Sequence, residues 1–428
     1  MKRLTFDETR AALPALDELR PLVDRLLGSS RPNAAHAWTG SGALETAGSR
    51  LVDPAALRAV LGEVTDAETS RMAAIYAHVT DAVEHLAAGL MTEAAEAFLG
   101  AAALEESRDQ HDRAGAWADA AFRAVQDEGD PRVRSRALRR RARARRALAS
   151  LAKAERDYAR ACQLAEVAGD VRGAAEAAIG AGNVLEDQGR WSEAETWYRR
   201  ALDTLDEGEP APERWHALLN LHVVMRTRGE IAGSLEPLRR AEAVVDALGD
   251  ETAAQFLENA WGQWHMADGS FTEAEERLRA AVMAATGARA RVTIRLNLAE
   301  TLLAVGRSLE AAEEVRRAEE EAIRTGLKAK LPEAYRLLGR IVASEGNPDA
   351  FVLFERALEI IDTGDLPEIE RARTLQAYAE AEAHAGDPET AHSLREQAEA
   401  AYRTLGIGYQ RGAWADEHGS PTAAADED

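Results

Sequence analysis

A single cysteine, Cys162, occurs in the 428 residues, which excludes an intramolecular disulfide and any cysteine-clustered zinc site. Aromatic residues make up only 5% of the chain, and strand formers are scarce beside Ala, Leu, Glu and Arg. That composition points away from sheets and toward helices throughout. No run approaches the roughly 20 apolar residues that a membrane span requires, and the stretch from Met1 to Glu8 lacks the apolar core of a signal peptide. The expectation is a cytoplasmic protein with no membrane contact. Basic residues number 52 against 74 acidic ones, a net charge of -22, which disfavours nucleic acid as a partner. Phosphate loops, His-Glu-x-x-His helices, Cys-x-x-Cys pairs and Gly-x-Ser-x-Gly elbows are all missing,. The ten histidines are scattered, and His216 and His222, six apart, do not have ligand spacing within one helix. No catalytic residue, metal or cofactor is therefore expected.

What the chain does contain is a period. Between Ala174 and Leu202, Gly182 and Leu185 sit on one helical run, Gly189 breaks it, and Ala194, Tyr198 and Ala201 follow at i, i+4 and i+7 on a second run. Small residues mark where two helix backbones approach closely, and a glycine permits the left-handed turn between them. This helical hairpin recurs. Ala121, Ala161, Ala201, Ala241, Ala281, Ala318, Ala357 and Ala398 are spaced by 40, 40, 40, 40, 37, 39 and 41 residues. Seven residues earlier stand Ala114, Ala154, Ala194, Ser234, Ala274, Ala311, Ala350 and Ala391. Between the two columns lie Ala118, Tyr158, Tyr198, Leu238, Leu278, Val315, Phe354 and Arg395, mostly large, and the turns carry Gly189, Gly229, Gly269, Gly306, Gly346 and Gly386. Eight hairpins fit. Gly89, Ala94, Phe98 and Ala101 also match the second-helix pattern, so an extra hairpin beginning near Ile75 is a second register.

These columns resemble the tetratricopeptide repeat (TPR), over roughly residues 92–404,. The period exceeds the standard repeat of about 34 residues and is similar to that of kinesin light chains and bacterial peptide-pheromone receptors. The resemblance implies an all-α, right-handed α-solenoid of about eight hairpins with a concave groove. Arg395 in the large apolar column reads as a polar last hairpin, and Glu258 and Arg295 fall near first-helix core sites. The expected organisation is an N-terminal helical cap over residues 1–88, a solenoid over 89–404, and an acidic, disordered tail over 405–428. Within the cap, helices are expected from Asp7 to Leu27, broken at Pro14 and Pro21, from Asp53 to Gly62, and from Thr65 to Ala88.

Two features are candidate sites. From Arg132 to Arg146 run nine arginines in fifteen residues, with no acid between Asp130 and Glu155. In the TPR register, Arg136, Arg139, Arg140, Arg143 and Arg146 project toward the groove as a clamp for a carboxylate or phosphate. The competing reading pairs them with acidic neighbours such as Glu105, Glu106 and Glu176, or with the acidic tail. The second feature is an asparagine series. Asn220, Asn259 and Asn297 precede their turn glycines by 9, 10 and 9 residues, and Asn183 precedes Gly189 by 6. An amide donates and accepts at once, so a ladder of asparagines can grip an extended peptide backbone, a use the resemblance to peptide-binding TPR proteins also implies. Trp215, Phe256, Trp261 and Trp264 are nearby candidates for side-chain pockets, with core packing the competing role for Trp261.

The sequence therefore reads as a non-catalytic scaffold or adaptor that holds a peptide or protein segment in the groove, an acidic one where the arginine run serves as the clamp. The alternative is a peptide-responsive sensor that releases a partner bound by residues 1–88. A lesser alternative is an enzyme built on His36, His78 or His85. Oligomeric state is left open.

Overall fold

The computed structural model describes residues 67–406, apart from 126–128, 207–209 and 365. The expected elements before Ala67, His36 and the acidic tail beyond Gly406 lie outside the described residues. Seventeen α-helices follow one another in that span, with no strand among the described residues. They are α1 (Ala67–Ala88), α2 (Met91–Glu106), α3 (His111–Ala124), α4 (Pro131–Ala147), α5 (Leu151–Val167) and α6 (Val171–Asp187). Then come α7 (Trp191–Thr204), α8 (Pro212–Thr227), α9 (Ile231–Leu248), α10 (Glu251–Asp268), α11 (Phe271–Ala284) and α12 (Ala288–Ala304). The series ends with α13 (Ser308–Thr325), α14 (Leu331–Ser344), α15 (Asp349–Gly364), α16 (Glu368–Ala385) and α17 (Pro388–Thr404). Residues divide into two compact units at Val184 and Leu185, within α6. Unit 1 holds α1 to α5 and most of α6; unit 2 holds the rest.

The alanine columns explain the pairing. Every member of the column from Ala121 to Ala398 is 0% exposed, because a methyl is the largest group that fits where the second helix of a pair presses on its neighbour. Even-numbered helices from α2 to α16 are first helices (A) and odd-numbered ones from α3 to α17 are second helices (B). This gives the eight expected hairpins, and α1 adds a helix packed on α2 with Gly89 at their turn. Arg395 is exposed on the last B helix, as a polar end requires. Glu258 and Arg295 occupy the A-helix column held elsewhere by Leu138, Leu218 and Leu375, and each reaches its own B helix: Arg277 donates to Glu258 at 2.9 Å, and Arg295 pairs with Glu314.

The A–B turns fall at Asp109, Ala149, Gly189, Gly229, Gly269, Gly306, Gly346 and Gly386, all with positive φ. Forty residues before Gly189 the left-handed position therefore holds alanine, with φ 55°. A Cβ there costs about 1–2 kcal/mol, and glycine returns part of this as unfolded-state entropy, about 0.4–1 kcal/mol. Ala149→Gly is accordingly expected to raise the melting temperature, by about 1–3 °C; a lowered value in differential scanning calorimetry would show that the turn is not strained.

Candidate functional site

In unit 1, α4 starts where Asp130 accepts a hydrogen bond from the Arg132 N–H at 2.8 Å and Pro131 occupies the first turn,. Its arginines meet acids from flanking helices. Arg136 pairs with Glu96 of α2 and Arg139 with Glu176 of α6. Arg140 and Arg143 share Glu106 at 2.6 and 3.1 Å. Arg141 bridges Asp119 and Asp157 at 2.5 and 2.7 Å, and Arg145 also reaches Asp157 at 2.5 Å. Arg146 is half-buried, with its charge felt at Tyr158. Burial lowers the pKa of Arg140 despite the opposing charge of Glu106. These contacts join the basic run to acids of its neighbouring helices. The expected neighbours Glu106 and Glu176 are among the partners, while Glu105 instead accepts from Arg108 of its own helix turn at 2.7 Å.

Unit 2 holds a cavity of about 360 Å³ on its A-helix side. Its polar wall comes from Arg226 (α8), Gln263 (α10), Asn297 and Glu300 (α12), Arg336 and Arg340 (α14), and Arg373, Gln376 and Glu380 (α16), with Tyr402 of α17. Ile231, Met266, Phe271 and Ile369 supply apolar patches. The Tyr402 hydroxyl donates to Gln376 at 2.9 Å, and Gln376 donates to Glu380 at 3.2 Å. Glu300 lies 3.6 Å from Arg336 and 3.4 Å from Arg340; burial disfavours its charge, but those guanidiniums and Arg373 outweigh it and lower its pKa. At the far end of the unit a methyl of Leu405 fills the space that any side chain at Gly189 would need. The N-terminal and C-terminal ends of unit 2 thus meet.

No protein-family model and no curated protein matches the sequence. Among solved structures the chain is similar to a Rap protein complexed with competence and sporulation factor, at a TM-score of 0.59 and 14% identity over 83% of this chain and 99% of that one. It is also similar to the Rap conjugation gene regulator of the plasmid pLS20 in complex with the Phr* peptide, at 0.57 and 14% over 78% and 96%. The apo form of RapI aligns at 0.51 and 13% over 60% and 94%. The fold is the tetratricopeptide-repeat fold.

On this TPR frame the asparagine series splits. Asn259 accepts a hydrogen bond from the Asn297 amide at 2.8 Å, and Asn297, 6% exposed, lines the cavity. Asn220 is half-buried on α8 and outside the cavity wall, and Asn183 belongs to unit 1. Trp215 and Trp261 are buried in the hydrophobic core of unit 2 rather than in a pocket, and the Trp264 indole donates to the Ile231 carbonyl at 3.1 Å. Phe256 is exposed and stacks on Trp215 at 6.2 Å. Sequence reasoning missed the cavity arginines, although a signal existed: Glu300, Arg340 and Glu380 recur at intervals of 40, as do Arg336 and Gln376, and Glu333 and Arg373. His78 lies against the Gly100 backbone, where a Cβ would fall 2.6 Å from its ring. Among the described residues no group of His, Cys, Asp and Glu could hold a metal ion, and no helix is long and apolar enough to cross a membrane.

Proposed function

We propose that this protein is a non-catalytic interaction module that holds a peptide or protein segment against the A-helix side of unit 2. The observation that carries the reading is the cavity itself, a solvent-open space of about 360 Å³ whose wall mixes amides, guanidiniums and apolar side chains, the combination that binding sites use to fix orientation. Two proteins of the same fold are described in complexes with a factor or peptide, which supports a peptide as the occupant. In this reading Asn259 and Asn297 contact the ligand backbone, with Gln263 beside them, and Asn220 extends the contact along α8. For Arg136, Arg139, Arg140 and Arg143, an acidic partner would have to displace carboxylates already in place, so their main part is to tie α4 to its neighbours.

The alternative of a peptide-responsive sensor draws on the meeting of Gly189 and Leu405, since a ligand inside so closed a unit can tighten or loosen that contact. Release of a partner from residues 1–88 on adding peptide would distinguish it from a plain adaptor.

The test is selection from a displayed random-peptide library on the full-length protein, followed by fluorescence anisotropy with the enriched peptides. Asn259→Ala is expected to weaken them about tenfold or more, the loss of one or two good hydrogen bonds, with an unchanged melting temperature. Equal loss of affinity and stability would make the amide pair structural. Failure to enrich any peptide over immobilised denatured protein would end the peptide reading.

A further inference from the structure

Arg226 closes the last turn of α8 at the cavity wall. Its guanidinium donates to the neutral Gln263 amide at 3.0 Å, and its Nε is enclosed without an acceptor. Among the described residues no carboxylate lies within ion-pair distance of it. Arg336, only 5% exposed, also has an enclosed Nε with no acceptor; Glu300 stands 3.6 Å away, and although burial disfavours the charge of Arg336, Glu300, Glu370 and Glu333 outweigh it and raise its pKa. Arg340 also draws on Glu300. Of the remaining acids of the wall, Glu333 pairs with Lys330 at 3.1 Å, and Glu380 accepts from the neutral Gln376 amide at 3.2 Å. Arg373 has Glu370 at 3.3 Å. Four guanidiniums thus line one cavity with three carboxylates, Glu300, Glu333 and Glu380, and the charge of Glu300 is shared among all four.

Desolvated cations in proteins are normally matched by acids, and an enclosed donor left unmet is costly. Where an under-matched guanidinium lines a cavity, a ligand there can supply counter-charge and acceptors to its terminal N–H groups. We propose that this cavity is a binding site for the oxyanion group, phosphoryl or carboxylate, of a small organic ligand, with Arg226 and Arg336 as its principal donors. The planar guanidinium fork matches both groups in bidentate geometry. Ile231, Met266, Phe271 and Ile369 receive the apolar part of the ligand. The proposal rests on the reading of the A-helix side of unit 2 as the binding surface and adds the charge of what binds there. Burial and the charge of Arg373 lower the pKa of Arg226 to about 10 against the opposing charges of Glu300 and Glu186, so the site without an anion holds its cation at a disadvantage. An anion between Arg226 and Arg373 also links α8 to α16 across the cavity.

The experiment is thermal denaturation of the full-length protein in sodium pyrophosphate, in citrate, and in sodium chloride of matched ionic strength. Pyrophosphate or citrate is expected to raise the melting temperature saturably above the chloride value, by about 5 °C at a hundredfold excess over Kd. The pyrophosphate and citrate arms separate a phosphoryl from a carboxylate ligand. In Arg226→Gln the saturable rise should vanish, while the melting temperature in chloride stays level or increases, because an unmatched cation has been removed. Arg226→Lys, which keeps the charge and loses the fork, should retain a reduced rise. Absence of a rise in wild type, or its persistence in Arg226→Gln, overturns the anion site. Selected peptides that lack acidic side chains, carry an amidated C-terminus and bind wild type and Arg226→Gln equally would leave the peptide reading standing while the anion site fails.

Discussion

Phe354→Ala is expected to destabilise unit 2 by roughly 4 kcal/mol, the range seen when a buried aromatic is truncated. The Phe354 ring is 0% exposed on α15, stacks on Tyr378 of α16 at 5.3 Å, and covers Gly339 of α14. A Cβ at Gly339 would fall 2.8 Å from two ring atoms. Gly339→Leu alone should therefore cost about 2–3 kcal/mol through overpacking, even though it removes a glycine from a helix interior, a change otherwise worth up to about 1 kcal/mol. The two substitutions compete for one volume, so the double variant should lose less than the sum of the singles, by at least about 1 kcal/mol. Urea denaturation followed by far-UV circular dichroism measures all three. Strict additivity would mean that ring and glycine do not share that space, and that the small-against-large match between A and B helices does not set their separation.

Acidification provides the second large effect. His222 sits in the A-helix column that elsewhere holds Ala102, Ala142, Gly182, Gly262, Ala299, Gly339 and Ala379. It is 0% exposed, with Nδ1 2.9 Å from the Ser234 carbonyl and Nε2 enclosed without a partner. That carbonyl accepts from the neutral ring, which fixes the proton on Nδ1. Burial lowers the pKa to about 4, with the nearby Arg226 charge acting in the same direction against the pull of the Ser234 carbonyl. The unfolded chain titrates near pH 6.5. Above that pH both states are neutral at this residue and it has no pH-dependent effect. As pH falls from about 6.5 to 4, the unfolded state takes up a proton that the folded state refuses, so stability is lost, in total roughly 3 kcal/mol. Comparing wild type with His222→Asn by urea denaturation at pH 7.5 and pH 4.5 isolates the residue from the acid-base pairs elsewhere. A wild-type loss between those pH values no larger than the variant's would mean that His222 is protonated in the folded protein.

The same column shows how much could be read in advance. An alanine or glycine at this register is a packing requirement that the 40-residue period exposes, and a histidine there is conspicuous once the register is known. Ser234, the one departure from alanine in its own column, is the residue whose carbonyl receives the ring. The basic helix α4 was half legible. Its charge run is plain, and Glu96 lies one 40-residue period before Arg136 in the same column, but whether guanidinium and carboxylate meet depends on side-chain reach between stacked helices.

The asparagine series lies on the A helices, yet its members separate in space. Asn259 and Asn297 sit on adjacent A helices of unit 2 and bond to each other, whereas Asn183 belongs to unit 1. A chain position relative to a turn glycine gives the face of one helix and leaves open what that face meets several repeats away.

Local rules therefore determined the helices, the eight hairpins, their turns and the buried alanine columns, because helix periodicity, small-residue contacts and left-handed turns each act within about one 40-residue repeat,. Only the tertiary structure decided that Arg226 of α8 faces Arg373 of α16 and that Gly189 touches Leu405. Those meetings depend on small rotations between repeats that add up along unit 2, and a sum of small angles is set by the packing of every interface rather than by any one stretch of residues.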